Sequence, residues 1–553
     1  MSSRHLTPRL ATVYSAAEFS LAARKMGRQS ASGGLLQALI ASEPHDRFRV
    51  LTLRGGSEDG LESLLEGRPA LQLNMQPLLQ ATPPAEVDLV LMSDPLLGRL
   101  AYWRQWQGGG ARAYGLIGIT HTLCSLPVLE GLRELATAPV QPWDALICTS
   151  RCAREAVRIG LDWEEERLRR RFAAPDLRLP RPRLPLIPLG CDVGRLARLQ
   201  QKREQARRAL RIAPDQVVLL YVGRLAIHAK AHPTVLLQAL ARLAARQPPG
   251  APPVRLVLYG TAPPGQEAVL KQALQVLVRG YQVQLLDGEN ESLADRVWAA
   301  ADIFVSLADN HQETFGLTPV EAMACGLPVL ASDWNGYRDT VRHGETGLLV
   351  PTAQPGESLA AELARYALRE IDYDGFVGRL MQEVVVDGDA LLASLERLVS
   401  DEPLRRRLGA AGRRRAAEHY DWPRVGARIR DLAASLELAR RCAAGAGEAD
   451  LPLPSPESQF SSWASRSLRS DSLITADITA ARENWARLAP LAVHNFPPGL
   501  GCDLQLCELL LQRLELGSFS LAQLAGERPD LPAAPLRHAA HWLTKLGVLN
   551  MGV

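Results

Sequence analysis

The sequence predicts an α/β protein with two doubly wound parallel-sheet domains in series, followed by a small, mainly helical domain. Strand-like and helical runs alternate up to about residue 195, and the pattern then restarts and continues to about residue 440. A stretch rich in Gly, Pro and Ser at 443–459 follows, which is typical of a linker. Because 553 residues are too many for one core, we expect domains at 1–195, 196–442 and 460–553, with a cleft between the first two.

Short apolar runs give the expected strands. Such runs are typical of parallel strands that are buried on both faces, with helices between them. For the first domain the predicted strands lie in "RVLTL", "DLVLMSD", "AYGLIGIT", "DALICTS" and "LPLIPLG". For the second domain they lie in "QVVLLYVGR", "VRLVLYG", "VQLLDG", "DIFVSLAD", "LPVLASD" and "GLLVP".

The composition is that of an ordinary soluble protein. The chain is 47% hydrophobic and 22% charged, and its formal net charge of +3 does not favour a nucleic-acid partner. No run approaches the roughly 18 apolar residues of a membrane helix, and the first residues lack the apolar core of a signal peptide. The eight cysteines form no C-x-x-C pair, which predicts reduced, mostly buried thiols and neither disulfides nor zinc. We therefore expect a cytoplasmic protein.

Two glutamates flank a predicted helix start in "QETFGLTPVEAMACGLPV". Thr318 suits the N-cap and Pro319 the first helical position, which places Glu321 third in the helix, as in a capping box. A capping role alone explains Glu321. Glu313 falls in the loop after the strand run "DIFVSLAD", at the edge where ligands bind in open α/β sheets. A solvated loop glutamate is the alternative interpretation of Glu313.

Cations follow the first strand of the second domain. In "LLYVGRLAIHAKAHPTVLLQAL" the strand ends at Gly223 and Arg224, and Lys230 comes before the next helix. Each cation could be a solvated surface charge. Together with the two glutamates, however, they supply what a metal-free nucleotide diphosphate site needs, namely positive charge for phosphates and acceptors for hydroxyl groups.

These motifs resemble the donor site of retaining glycosyltransferases of the GT-B fold, family 4, over about residues 10–440. The resemblance implies two Rossmann-like domains facing a cleft, and sugar transfer with retention from a nucleotide-diphosphate sugar. It implies no metal and no cofactor, the nucleotide sugar being a co-substrate. The acceptor could be a glycan, a lipid or a polypeptide. A non-catalytic sugar-binding or regulatory protein on the same frame, acting through its C-terminal module, is the rival hypothesis.

The resemblance also implies roles for individual residues. Glu321 would bind the ribose hydroxyls and Glu313 the transferred sugar, while Arg224 and Lys230 would hold the diphosphate. His121, just past a predicted strand, would lie near the donor sugar and the acceptor, although a structural histidine fits the sequence as well. Backbone groups of further residues would line the donor, and these are Gly223, Phe315, Gly316, Leu317, Thr318, Gly288 and the predicted helix-start pair Gly33 and Gly34. That pair could equally be plain helix-start glycines.

Two Asp-x-Asp triplets, at 372–374 and 387–389, spell the manganese motif of another glycosyltransferase fold. Both follow the donor motif in a helical region, and Asp389 suits the N-cap of "ALLASLERLV". We therefore expect no metal site at these aspartates.

Two further regions could bind partners. The arginine-rich stretch 164–185, with Leu168 and Phe172, could contact a membrane surface or a polyanionic acceptor, or could be a solvated arginine face. The last module has three helical stretches and a strand-like "LGVLNM", similar to a winged helix. Its acidic residues match its basic ones, so we expect protein docking or dimerisation and no nucleic acid.

Overall fold

The computed structural model describes residues 7–14, 27–52, 65, 68, 70–78, 83–107, 109–443, 454–465, 467–495 and 501–552. The chain forms two compact units, and the division falls between Pro452 and Leu453, inside the predicted linker. The first unit contains both α/β halves, so the predicted boundary between them at residue 195 stays a prediction.

The first α/β half is a parallel six-stranded sheet in the order β3-β2-β1-β4-β5-β6. Four of its strands are fully buried, as is typical of apolar parallel strands covered by helices. The strands are β1 (Leu10–Tyr14), β2 (Arg47–Thr52), β3 (Gln72–Pro77), β4 (Leu89–Leu91), β5 (Gly115–Ile119) and β6 (Ala145–Ile147). The described α-helices are α1 (Gly27–Ala41), α2 (Leu97–Trp106), α3 (Leu126–Glu134) and α4 (Arg151–Phe172).

The second half repeats this architecture, with six parallel strands in the order β12-β11-β10-β7-β8-β9. The strands are β7 (Val217–Val222), β8 (Val254–Gly260), β9 (Gln282–Asp287), β10 (Ile303–Ser306), β11 (Val329–Ser332) and β12 (Gly347–Val350). The helices are α5 (Val193–Arg198), α6 (Arg203–Ala209), α7 (Pro233–Arg246), α8 (Gln266–Leu277), α9 (Ala294–Ala300), α10 (Leu317–Ala324) and α11 (Tyr337–Thr340). The predicted fold class, two Rossmann-like sheets of the GT-B type, is confirmed.

The prediction of individual strands was accurate for the second half and less so for the first. All six strand runs of the second half form strands. In the first half β1 and β3 were not predicted, and the run "LPLIPLG" at 184–190 is wrong as a strand. That run follows β6 only through isolated bridges, such as the one between Cys148 and Leu186. Pro185 and Pro188 have no N–H to donate to a sheet.

Both sheets have a point where the strand order reverses, and ligands bind at such points in open α/β sheets. In the second sheet this point lies between β7 and β10, which are direct neighbours. The segment after β7 carries Lys230, and the segment after β10 carries Glu313. The topology therefore brings these two segments to the same edge of the sheet.

A helical excursion (354–384) interrupts the second half after β12. It leaves and returns through a two-stranded antiparallel stem, in which Thr352 pairs with Val386 and Ala353 with Val385. The stem strands are β13 (Thr352–Ala353) and β14 (Val385–Val386), and the excursion carries α12 (Ala360–Ala367) and α13 (Tyr373–Gln382). Tyr366 and Tyr373 reach the first half, where Leu126 N–H donates to the Tyr366 hydroxyl at 2.8 Å. The excursion therefore bridges the two halves.

The last helix of the first unit returns to the first half. After α14 (Gly388–Ser400) and α15 (Glu402–His419), α16 (Trp422–Cys442) buries Val425, Ile429, Ala433 and Leu436 in the core of the first sheet. In sequence α16 lies inside the predicted second domain, which ends at residue 442, but in the structure it packs against the first sheet.

The second unit has its own core of helices and a small sheet in the order β16-β15-β17. Its elements are α17 (Pro456–Gln459), β15 (Leu473–Thr475), α18 (Ile478–Leu488), α19 (Leu504–Leu514), β16 (Phe519–Ser520), α20 (Leu521–Glu527), α21 (Ala533–Lys545) and β17 (Asn550–Met551). The three predicted helical stretches are α19, α20 and α21, and the winged-helix assignment stays a prediction. Arg482, Arg513 and Arg528 are all ion-paired within the unit.

Among the described residues, no helix combines the length and the apolar character that crossing a bilayer requires.

Candidate active site

Lys230 and Glu313 form an ion pair at the point where the second sheet reverses its strand order. Lys230 Nζ donates to Glu313 Oε2 at 2.9 Å, and both side chains are largely shielded from solvent. A lysine ammonium has three donors, so two remain for a further acceptor such as a diphosphate oxygen. The predicted meeting of a cation and a carboxylate from separate loops is present in the structure.

Asn310 holds both loops in place. Its Oδ1 accepts from the N–H of Gln312 at 3.0 Å and of Glu313 at 3.2 Å, while its Nδ2 donates to the Lys230 carbonyl at 2.6 Å. The neighbouring Asp309 accepts from the N–H of His232 at 3.0 Å, and burial raises the pKa of Asp309 to about 7. Sequence reasoning missed Asn310, although a short Asn before a loop is a common turn signal.

Glu313 also holds the turn that precedes the next helix. Its Oε1 accepts from Gly316 N–H at 3.1 Å, and α10 begins at the next residue, Leu317. Burial alone would raise the pKa of Glu313, but the Lys230 ammonium and the N–H groups of Phe315 and Gly316 outweigh burial and lower it. Glu313 is therefore ionised at neutral pH.

The predicted capping box is wrong. The residue before α10 is Gly316, with φ 87°, and no side chain caps it in the way predicted for Thr318. A Cβ on Gly316 would lie 2.2 Å from the Tyr337 ring, so only glycine fits this turn. Leu317 and Thr318 thus occupy the first helical positions, where backbone N–H groups have no intrahelical acceptor.

Glu321 lies on α10 in apolar surroundings. Its carboxylate raises the pKa of Cys191 and Cys325, whose own pKa values are raised mainly by burial, so it is close to both. Burial raises the pKa of Glu321 itself to about 7, against a smaller opposing effect of Arg195. No hydrogen bond to this carboxyl comes from the described part of the chain, which leaves it open to an added ligand.

Replacing Glu321 by glutamine is expected to stabilise the protein above pH 7 while weakening nucleotide binding by about 10-fold. Between pH 4.5 and about 7 the folded state keeps a proton that the unfolded state has released, so the unfolding free energy falls as pH rises. The variant lacks this loss, which is on the order of 1 to 3 kcal/mol. Thermal unfolding of both proteins at pH 5 and pH 8 measures this effect. A difference in stability between wild type and variant that is the same at both pH values would contradict the prediction.

Arg224 lies near the same site but forms no ion pair with any described carboxylate. The Tyr221 hydroxyl donates to the Arg224 carbonyl at 2.9 Å. The pKa of Tyr221 is raised chiefly by burial and further by Glu313, while Arg224 lowers it. Both charges therefore lie within electrostatic reach of one phenol.

Three glycines meet at the carboxyl ends of β7, β8 and β9. A Cβ on Gly260 would lie 1.8 Å from the Gly223 carbonyl oxygen, and one on Gly288 would lie 2.7 Å from the Gly260 Cα. Gly288 N–H donates to the Gly260 carbonyl at 3.1 Å, and Gly223 has φ 149°. Gly223 and Gly288 were predicted donor residues, whereas Gly260 was missed.

The first half places its predicted residues differently. Gly33 and Gly34 do not start a helix, because α1 already runs from Gly27. A Cβ on Gly34 would lie 2.3 Å from Trp422 Nε1, so this glycine allows α16 to approach α1 closely. His121 is half-buried two residues after β5, as predicted, and the next residue, Thr122, hydrogen-bonds the Tyr373 hydroxyl at 3.2 Å.

A cavity of about 1260 Å³ opens between the two halves beside this site. Glu313 and Thr314 line it from the second half, and α4 lines it from the first. The Ser150 hydroxyl donates to the Thr314 carbonyl at 2.7 Å, which joins the start of α4 to the Glu313 loop. The predicted cleft is therefore present and reaches the candidate site.

The Asp-x-Asp triplets serve as helix caps. Asp372 accepts from Gly375 N–H at 2.8 Å and caps α13. Asp387 accepts from Ala390 N–H at 2.9 Å and caps α14, so the predicted cap at Asp389 is two residues off. Within the described residues, no group of three or more His, Cys, Asp or Glu side chains could hold a metal ion.

Four of the seven arginines in the arginine-rich stretch are ion-paired with acidic side chains. Arg167 pairs with Glu164 at 2.5 Å, and Arg181 pairs with Glu165 at 2.8 Å. Of the predicted apolar stripe, Leu168 is buried and only Phe172 is exposed. This pairing favours the solvated interpretation of the arginine face.

Residues 202–375 match the family model of the glycosyl transferases group 1. This segment contains Lys230, Glu313 and Glu321. Among curated proteins, the D-inositol 3-phosphate glycosyltransferase of Geodermatophilus obscurus is 32% identical over 277 residues, or 49% of this chain and 59% of that protein. The enzyme of the same name from Actinosynnema mirum is 32% identical over 274 residues, or 48% and 63%. The chain spans about three fifths of the length of these relatives.

A glycosyltransferase of Rickettsia africae has a similar solved structure, with a TM-score of 0.51 and 12% identity. The match covers 77% of this chain and 98% of that one. At this identity the likeness supports the shared fold alone.

Proposed function

We propose that this protein is a glycosyltransferase that moves a sugar from a nucleotide-diphosphate sugar to an acceptor hydroxyl, with retention and without a metal ion. The observation that carries the proposal is the Lys230–Glu313 pair at the reversal point of the second sheet, next to the start of α10. Ligands bind at this place in open α/β sheets, and free N–H groups at a helix start favour an anion. The group 1 match over the same segment supports the same activity.

The residues divide the work of binding and bond breaking. Lys230, with Arg224 nearby, would stabilise charge on the diphosphate as the bond between the sugar C1 and the phosphate oxygen breaks. Glu313 would accept hydrogen bonds from the sugar, and Glu321 from the ribose. The acceptor oxygen attacks C1, the electron pair of the broken bond leaves with the phosphate, and the acceptor proton passes to that phosphate oxygen. His121 would lie beside the acceptor.

Incubating the pure protein with a panel of nucleotide sugars in EDTA tests this function. We expect slow, saturable hydrolysis of one donor, unaffected by the chelator, and proton NMR of the released sugar should show retained configuration. Absence of both turnover and saturable binding with every donor would favour the regulatory hypothesis.

We further propose that the second unit serves protein docking or dimerisation. Arg482, Arg513 and Arg528 are paired with Glu508, Glu515, Glu527 and Asp530, which reduces the positive charge available for a phosphate backbone. Phe460 and Trp463, whose rings are 4.4 Å apart, are exposed on this unit and offer an apolar contact.

A further inference from the structure

The cavity between the halves has a polar part and an apolar part. At the start of α4, Arg151 pairs with Asp339 at 2.5 Å, and Cys152 Sγ donates to the Asn335 carbonyl at 3.2 Å. Ile159 lies seven residues farther along the same helix, which corresponds to about 10 Å, and it also lines the cavity. The cavity therefore extends along α4 from charged residues towards an aliphatic side chain.

The helical excursion (354–384) supplies the facing apolar wall. Its apolar side chains in the cavity are Leu359, Leu363, Phe376 and Leu380, and the polar Gln354 also lines the cavity. Phe376 and Leu380 are held in a bridging core with Ala226 and Ala229, which belong to the Lys230 loop. The apolar wall and the Lys230 loop are thus fixed to each other.

The charged residues of the cavity leave no unpaired cation. Each of the six lining side chains that carries a charge has an opposite partner within ion-pair distance. The pairs are Arg151–Asp339 at 2.5 Å, Arg338–Asp333 at 3.3 Å, Glu155–Arg158 at 2.6 Å and Glu313–Lys230 at 2.9 Å. A phosphorylated or carboxylated acceptor group would have to compete with Asp339 and Asp333 for these guanidinium groups, whereas a neutral acceptor would not.

We propose that the apolar part of this cavity binds a hydrocarbon segment of the acceptor, and that the helical excursion selects the acceptor. The inference rests on the proposed function. The acceptor is then an amphiphile whose neutral, hydroxyl-bearing end reaches Glu313 and whose apolar part lies between Ile159 and Leu363. Such an acceptor differs in chemistry from the phosphorylated polyol named for the curated relatives.

Binding of alkyl glucosides from ethyl to octyl, below micelle-forming concentrations, tests this proposal. Titration calorimetry should show affinity rising roughly 3- to 4-fold with each added methylene. The double variant Ile159→Ser/Leu363→Ser should lose this dependence. Both side chains are more than 40% exposed, so their replacement leaves the fold intact. Leu368→Ser is the matched control, because Leu368 lies on the same excursion but outside the cavity, and it should behave as wild type.

The outcomes separate this inference from the proposed function. Equal affinity for all members of the alkyl series, with normal nucleotide binding, would overturn the inference and leave the proposed glycosyltransferase function unaffected. Failure to bind any nucleotide would remove the proposed function, while the alkyl series would still report on the cavity. If the wild-type protein sediments with phosphatidylcholine–phosphatidylglycerol vesicles and the double variant does not, the acceptor is a membrane lipid. Chain-length dependence without sedimentation would identify a soluble apolar aglycone.

Discussion

Replacing Glu313 by glutamine is expected to lower kcat by about 10²- to 10³-fold, equivalent to about 3 to 4 kcal/mol of transition-state stabilisation. Glu313 is ionised in the structure because Lys230 and the N–H groups of Phe315 and Gly316 lower its pKa. An amide can still accept from Gly316 N–H, but it cannot neutralise Lys230. The loss should appear in kcat, since charge on the sugar and the diphosphate develops in the transition state.

The measurement is steady-state donor turnover, with nucleotide affinity determined separately by calorimetry. Glu345→Gln is the matched control, because Glu345 is an exposed glutamate of the same half whose one ion pair with a described residue is to Arg342. It should turn over donor as wild type does. Wild-type kcat in Glu313→Gln, with the melting temperature unchanged, would remove Glu313 from the mechanism.

The second sheet could be predicted from sequence because most of its strands are buried and apolar. Strands buried on both faces appear as continuous apolar runs, and all six runs predicted for this half form strands. The edge strands β9 and β3 are partly exposed to the same degree, so exposure does not explain why only β9 was predicted. β9 contains two adjacent leucines, whereas in β3 a polar residue separates Leu73 from Met75, so β3 shows no apolar run. β1 is a fully buried apolar run, Leu10–Tyr14, and the alternating pattern nonetheless failed to identify it.

The components of the site were predictable, but their local geometry was not. Strand topology explains why Lys230 and Glu313 meet across 83 residues. Cap preferences predicted Thr318 as the N-cap, yet the helix begins after Gly316. The carboxylate of Glu313, three residues before Gly316, accepts a hydrogen bond from the Gly316 N–H and so holds this turn. No cap rule based on neighbouring residue types includes the close approach of the Tyr337 ring to Gly316.

The acceptor side was the least predictable part. The helical excursion has no place in a repeating β-α pattern, so its side chains could not be assigned to the cleft. Its Asp372 resembled part of a metal motif, but the carboxylate is used as a helix cap. The return of α16 to the first sheet could not be predicted either, because it depends on close packing of Trp422 against Gly34, which is far away in sequence.

Replacing Gly260 by alanine is expected to weaken nucleotide binding by at least about 100-fold. The added Cβ would lie 1.8 Å from the Gly223 carbonyl oxygen, whereas a carbon and an oxygen need about 3.3 Å. The turn that carries Gly223 and Arg224 must therefore move by more than about 1 Å. A displacement of about 1 Å at a group that positions the substrate can lower the reaction rate about 10²-fold, and we expect a loss of the same order in nucleotide affinity. Overpacking should also lower the unfolding free energy by about 1 to 3 kcal/mol.

Calorimetry with the nucleotide that the donor panel selects measures the affinity, and thermal unfolding measures the stability. Gly388→Ala is the control, because a Cβ there meets nothing within 4 Å and the glycine lies in the same half, at the start of α14. The first sheet does not contact Gly260 through the strand ladder, so its helices and strands should persist in circular dichroism. Because glycine has no side chain to lose, we expect a loss of binding in the folded Gly260→Ala protein to come from the added Cβ and the turn that it displaces. Wild-type affinity in Gly260→Ala would mean that the turn after β7 does not position the diphosphate, and would shift that role to the start of α10.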